Sequence, residues 1–184
     1  MAPMLKDPRQ TKAPLRIEWC SDPARERAIV ELFMKQLSPR YISHSELQEQ
    51  RAVAIGEWRP DLVEVLGAQV RHALAQPVAA SSSLIATAHD EDSGALAAVA
   101  FVSIDEARLA SRPFATLDDL VVDASRQGSG VGRLMFDWIC AELKPRGIRR
   151  LFLESGIGNE GAHRFFAARG CTPVSITMLK ELEA

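Results

Sequence analysis

The stretch DLVVDASRQGSGVGRLMF, residues 119–136, holds the residue types best spaced for chemistry. Glycines fall at 128, 130 and 132, between an apolar strand that ends at Asp123 and a helix that opens straight from the loop. Glycine lets a backbone approach a ligand with no Cβ in the way. Consecutive N–H groups at a helix start attract anions, and the helix dipole reinforces them. The run Gly128-Ser129-Gly130-Val131-Gly132, with Gln127 and Arg133 as flanking donors, therefore reads as a pyrophosphate cradle. A plain glycine-rich turn before a helix is the competing reading. No Lys-Ser or Lys-Thr follows Gly132, so this is not a Walker loop, and GxGxG at residue 128 is not a dinucleotide fingerprint. Gly128-Ser129-Gly130 is not the GxSxG of a hydrolase elbow. Glu160-x-x-His163 is a single pair, and there is no HExxH or Cys/His cluster, so no metal is expected.

The elements that must hold this loop follow from periodicity. LRIEW (15–19) alternates as a strand. Ser21 or Asp22 caps a helix with Pro23 in its first turn and Ile29, Leu32, Phe33 and Leu37 as its stripe. Residues 43–76 read as helical, capped by Ser43 or Ser45 and broken at Pro60. Leu62, Val65, Leu66 and Val70 form a second stripe there, interrupted by the polar Gln69. LIATAH (84–89) and ALAAVAFVSI (95–104) are strands joined by a DEDSG hairpin turn. EARLASRP (106–113) is a loop, and ATLDDLVV (115–122) is a strand. VGRLMFDWICAELK (131–144) is a helix ended by Pro145 and Gly147. RRLFLES (149–155) reads as a strand buried on both faces. GNEGAHRFFAARG is a short helix with Asn159 as N-cap and Gly170 at its end. TPVSITML reads as a last strand. Residues 1–13 are expected to be a mobile tail, and 14–184 one mixed α/β domain.

Composition narrows the function classes. The 184 residues are 47% apolar and 25% charged, ordinary for a globular chain. Lys plus Arg total 22 against 24 Asp plus Glu, too even a balance for a nucleic-acid footprint. No apolar run approaches the roughly 20 residues of a membrane span. The start lacks the apolar core of a secretory signal. Three scattered cysteines (20, 140 and 171) without a CxxC fit reduced thiols. The expectation is a cytoplasmic protein without nucleic-acid or membrane partners.

The pattern Gln127-x-x-Gly130-x-Gly132 after an apolar strand resembles the coenzyme A signature of the GNAT superfamily of N-acetyltransferases. NEGAHRFFAARGC (159–171) resembles that family's second signature through Asn159, Ala162, Phe165 and Gly170. Phe166 stands where a tyrosine is usual, and Cys171 where a phenylalanine is. The order of elements fits from about 15 to 184. The resemblance implies a GNAT-like, mostly antiparallel central sheet of six to seven strands flanked by about four helices. It also implies acetyl-coenzyme A as co-substrate and direct transfer to a primary amine in a ternary complex. A non-catalytic coenzyme A-binding domain and a protein-directed acetyltransferase are the alternatives.

The same resemblance assigns roles. Residues 127–133 take the pyrophosphate. Leu120, Val121 and Val122 offer backbone groups to the pantetheine arm, and Asn159 and Phe166 lie along it. TLDDLVV resembles the acid-bearing strand of small-amine acetyltransferases, making Asp118 the base and Asp119 an amine contact. Adjacent strand residues point to opposite faces, so the pleat lets at most one of the two face a given cleft. Two acids favour a small cationic acceptor. Glu154 and His163 read as solvated, and Tyr41, the single tyrosine, as a surface residue after Pro39. The amine's identity and the oligomeric state, a homodimer included, are left open.

Overall fold

Two long apolar strands form the middle of the molecule. The structure, a computed structural model, describes residues 14–48, 51–105 and 112–182. The 1–13 tail and most of the 106–113 loop lie outside the described residues. β1 (Leu15–Cys20), β4 (Ser83–Asp90), β5 (Leu96–Ile104), β6 (Phe114–Val122) and β7 (Arg150–Leu153) form one sheet in the order β1-β4-β5-β6-β7. All its pairings are antiparallel except β6–β7, which is parallel. The β4–β5 turn forms as its residues dictate. Asp90 accepts from the Ser93 amide and hydroxyl, and Gly94 takes a φ of 69°.

Each face of this sheet is covered by helices. α1 (Glu26–Gln36) and α3 (Leu62–Leu74) bring Ile29, Phe33, Leu66 and Val70 against Ile85, Val99, Phe101 and Val121. α4 (Val131–Leu143) brings Met135, Phe136 and Ile139 to the other face, over Ala86, Ala88, Ala98 and Ala100. Alanine along those strands lets α4 lie close to the sheet. Burying one large apolar side chain contributes about 1.5–3 kcal/mol. α5 (Glu160–Ala167) joins the α4 side through Phe165 and Phe166, which pack edge-on or tilted against Phe136. No described helix is long and apolar enough to cross a membrane.

Three expectations change. Residues 43–76 are not one helical region: α2 is only His44–Gln48, and a small hairpin, β2 (Ala52–Ala54) with β3 (Glu57–Trp58), turns at Gly56 before α3. Gly56 has a φ of 82°, which a helix does not permit. TPVSITML (172–179) is not a strand, so among the described residues the main sheet has five strands and the hairpin adds two; five α-helices accompany them. Without that last strand β7 is an edge, and its Arg150 and Phe152 are exposed rather than buried on both faces.

Candidate active site

β6 contains a defect that decides which side chains meet. Ala115 and Leu117 pack on the α4 side, Val121 packs on the α1–α3 side, and Leu120 and Val122 pack on the α4 side again. Unbroken alternation would send Leu117 and Val121 to one face. The ladder to β5 shows where the phase slips: Phe101 pairs with Asp119, but Val102 pairs with Leu117. Asp118 is the extra residue of a β-bulge. The bulge corrects the pleat argument, because Asp118 and Asp119 both line the same cleft.

At the same point the sheet opens. β7 pairs with β6 only from Phe114↔Arg150 to Leu117↔Leu153, while β6 runs on to Val122. Past Leu117, β6 has no strand partner on that side among the described residues. The resulting cleft, about 530 Å³, runs from Glu46, Asp118 and Glu154 at one end to Arg126, Gly128, Gly130 and Arg133 at the other.

The glycine loop forms the basic end. A turn over Ala124–Arg126, capped by Asp123, leads into it, and Arg126 is tied to Asp90 at 2.6 Å. Gly128 and Gly130 take φ values of 71° and 93°, a region side chains disfavour. Gly130 is the N-cap of α4, so the first amides of that helix have no partner within the helix. A Cβ on Gly132 would meet Phe165 and Val122 at 3.4 Å, so the absence of a side chain keeps α4 tight against β6 and α5. The Gln127 side chain donates to the Val122 carbonyl at 3.2 Å and to Gln36. Asn159 caps α5 through the Ala162 amide at 3.3 Å and also lines the cleft, as does Phe166.

The acidic end differs from expectation in detail. Asp118 is half-buried and accepts from the Ser103 hydroxyl at 2.7 and 2.8 Å. Asp119 is fully buried. Its Oδ1 accepts from the Tyr41 hydroxyl at 2.8 Å and its Oδ2 from Arg51 at 2.9 Å. Burial raises its pKa above the usual carboxylate value, and Arg51 and Tyr41 pull in the opposite direction. Both of its oxygens are engaged inside the protein, so it holds this network rather than facing solvent at a strand edge. Tyr41 is not a surface residue. It lines the cleft, and burial first, then the Asp119 charge, raise its pKa well above the ordinary value. Its phenol is therefore neutral.

Sequence reasoning missed several residues here. Arg51 is buried over the Phe33 ring and donates to Gln69 at 2.8 Å, which explains the polar interruption in the α3 stripe. Glu46 is buried and accepts from the Ser43 amide at 2.7 Å and hydroxyl at 2.6 Å. That is the S-x-x-E capping pattern, so a sequence signal existed. Glu154 is exposed yet lines the cleft and meets His44 at 3.1 Å. His163 is exposed, as expected. Arg169 lines the basic end with its guanidinium 3.8 Å over the Phe165 ring.

The residues present fit coenzyme A. A pyrophosphate would meet amides and arginines at the start of α4, and an extended arm would meet the open edge of β6. Ser155 Oγ and Arg169 Nε, on cleft-lining residues, are buried polar atoms without a hydrogen-bond partner among the described residues. Among those residues no group of three His, Cys, Asp or Glu could hold a metal ion.

Residues 45–171 match the Acetyltransferase (GNAT) family, and the chain belongs to it. A comparison with curated proteins found no match. Solved structures share the fold. A tetramutant of the BH1408 protein from Bacillus halodurans superposes with a TM-score of 0.69 at 20% identity, covering 91% of this chain and 99% of that one. An aminoglycoside acetyltransferase from an uncultured soil metagenomic sample, in complex with sisomicin, gives 0.63 at 15% identity over 92% and 97%. The aminoglycoside N-acetyltransferase AAC(6')-Iy in complex with CoA gives 0.66 at 16% identity over 97% and 100%.

Proposed function

We propose that the chain moves the acetyl group of acetyl-coenzyme A to a primary amine of a small cationic metabolite, by direct transfer in a ternary complex. One observation carries this reading: a single cleft joins an anion cradle at the start of α4 to an acidic pocket at the β6 bulge. The likeness to folds that hold CoA and an aminoglycoside supports both halves.

Acetyl-coenzyme A supplies an activated acetyl thioester. The amides of Gly128, Gly130, Val131 and Gly132, with Arg133, would hold its pyrophosphate, while Gln127 ties the loop to Val122 and Gln36. The Leu120–Val122 backbone takes the pantetheine arm as a strand-like partner, with Asn159 and Phe166 alongside. A free N–H on that edge would polarise the thioester carbonyl.

Asp118 removes the ammonium proton, directly or through one water, while the Ser103 hydroxyl fixes its orientation. Aspartate is short, and the bulge compensates by carrying Asp118 toward the cleft. Asp119 acts as a positioning residue that ties Tyr41 and Arg51 beneath the site. Glu46 and Glu154 give the acceptor end its negative field. Calorimetry with coenzyme A, then mass analysis of a panel of amines incubated with acetyl-coenzyme A, tests this reading. Binding without any acetylated amine would overturn it.

A further inference from the structure

The loop before α4 must present its amides in a fixed arrangement, yet its own residues give it little stiffness. Glycine at 128 and 130 leaves the backbone its widest freedom. Ordering a mobile loop on binding costs affinity, so a loop ordered beforehand binds better. Ties from outside the loop supply that order.

Arg126 is the residue on which those ties converge. Its carbonyl accepts from the Ser129 hydroxyl at 2.6 Å and from the Ser129 amide at 3.2 Å, between the two positive-φ glycines. Its guanidinium leaves the loop and donates to Asp90 Oδ2 at 2.6 Å. Asp90 closes β4 at the hairpin turn and is not among the residues that line the cleft. The pair is sheltered: its side chains are 26% and 13% exposed. The two Asp90 oxygens do separate jobs. Oδ1 accepts from the Ser93 amide and hydroxyl, at 3.0 Å each, and makes the turn. Oδ2 takes Arg126. On the other side of the loop Gln127 donates to Gln36, at the end of α1, at 3.2 Å. That bond is exposed and joins two neutral amides, so it is the weaker tie.

We propose that Asp90 is a positioning residue for the cofactor: through Arg126 it holds the glycine loop in the shape that receives a pyrophosphate. This role rests on the loop's being the coenzyme A site. Charge and positioning predict opposite signs here. Asp90→Asn removes a negative charge near an anion site, so by charge alone an anion should bind more tightly. The same change keeps an oxygen for Ser93 but turns an NH2 toward Arg126, donor against donor. The turn survives, the tie does not, and the anion should bind more weakly.

Calorimetry with coenzyme A on the full chain reads that sign. If about one-tenth of Asp90→Asn molecules hold the competent loop, the dissociation constant rises about tenfold. The kcat at saturating acetyl-coenzyme A should be unchanged. Ser93→Ala weakens the turn alone and should leave the dissociation constant as it was. Arg126→Gln should cost about as much as Asp90→Asn, and the double variant no more than either, because both remove one tie. Arg126→Gln leaves the turn intact and decides the matter if Asp90→Asn does not fold. Without coenzyme A, backbone order parameters over 128–130 should fall from about 0.85 toward about 0.6 in Asp90→Asn, which reads the tie by itself. Unchanged or tighter binding by Asp90→Asn, an equal loss in Ser93→Ala, additive losses in the double variant, or unmoved order parameters would overturn the role of Asp90. A wild type that binds no coenzyme A would remove the cofactor site and this role with it, whatever the order parameters show.

Discussion

The Tyr41 hydroxyl donates to Asp119 across 78 residues of sequence, at 2.8 Å, from a turn that also walls the cleft. The chain has one tyrosine, so its titration can be followed in isolation. Its folded-state pKa is raised, by burial and then by the Asp119 charge. The unfolded phenol ionises near about pH 10. Stability from this group is therefore present below about pH 10 and lost as pH rises through the folded-state value. Tyrosinate absorbance should stay flat through about pH 10 in the native protein and appear together with loss of structure. A reversible native titration near about pH 10 would remove the buried bond.

Tyr41→Phe deletes one hydrogen bond to a buried carboxylate. We expect a loss of roughly 1–3 kcal/mol of stability and a kcat that stays within about tenfold of wild type. The phenol proton is already committed to Asp119, and a thiolate with a pKa of about 8.5 can leave unaided. A fall of roughly 10²-fold, with coenzyme A binding intact, would make Tyr41 the proton donor that Phe166 cannot be.

Asp119→Ala leaves Arg51 buried opposite an empty site. Breaking a buried pair from one side costs about 3–5 kcal/mol, and thermal unfolding should show a loss of that order. A surface pair would lose less than about 1 kcal/mol, which is the contrary outcome.

Much of this was legible in the sequence, for physical reasons that differ by residue. Gly128 and Gly130 mark the loop before α4, because their positive φ values suit glycine. The β4–β5 hairpin followed from Asp90, Ser93 and Gly94. The bulge at Asp118 was not legible, since TLDDLVV reads as regular alternation and only the β5 register exposes the slip. Arg51 gave no local signal, because its partners Asp119, Gln69 and Phe33 are brought to it by three other elements. TPVSITML (172–179) reads as a strand from its alternation, yet those residues lie in no strand.

Gly156 is the point where the β7 loop crosses the Tyr41 turn. A Cβ there would collide with the carbonyl oxygens of Arg40 and Ile42. Gly156→Ala should cost about 1–3 kcal/mol and shift Tyr41, lowering acceptor turnover more than coenzyme A affinity. Equal loss of both, by calorimetry and kinetics, would separate the loop from the acceptor site.

At the loop before α4, Gly130→Asp sets a negative side chain in the proposed pyrophosphate site. Aspartate tolerates the left-handed backbone better than most residues, so the fold should survive. Coenzyme A affinity should fall at least tenfold, about 1.4 kcal/mol. An unchanged affinity in the folded variant would place the cofactor elsewhere.

The most direct measurement is amine-dependent thiol release from acetyl-coenzyme A, with wild type and Asp118→Asn compared across roughly pH 6–9. Wild type should release thiol with cationic amines. Asp118→Asn should show a kcat/KM lower by roughly 10²-fold or more, with acetyl-coenzyme A affinity unchanged. Equal activity of the two proteins across that range would remove Asp118 as the base, and no release with any amine would remove acetyl transfer itself.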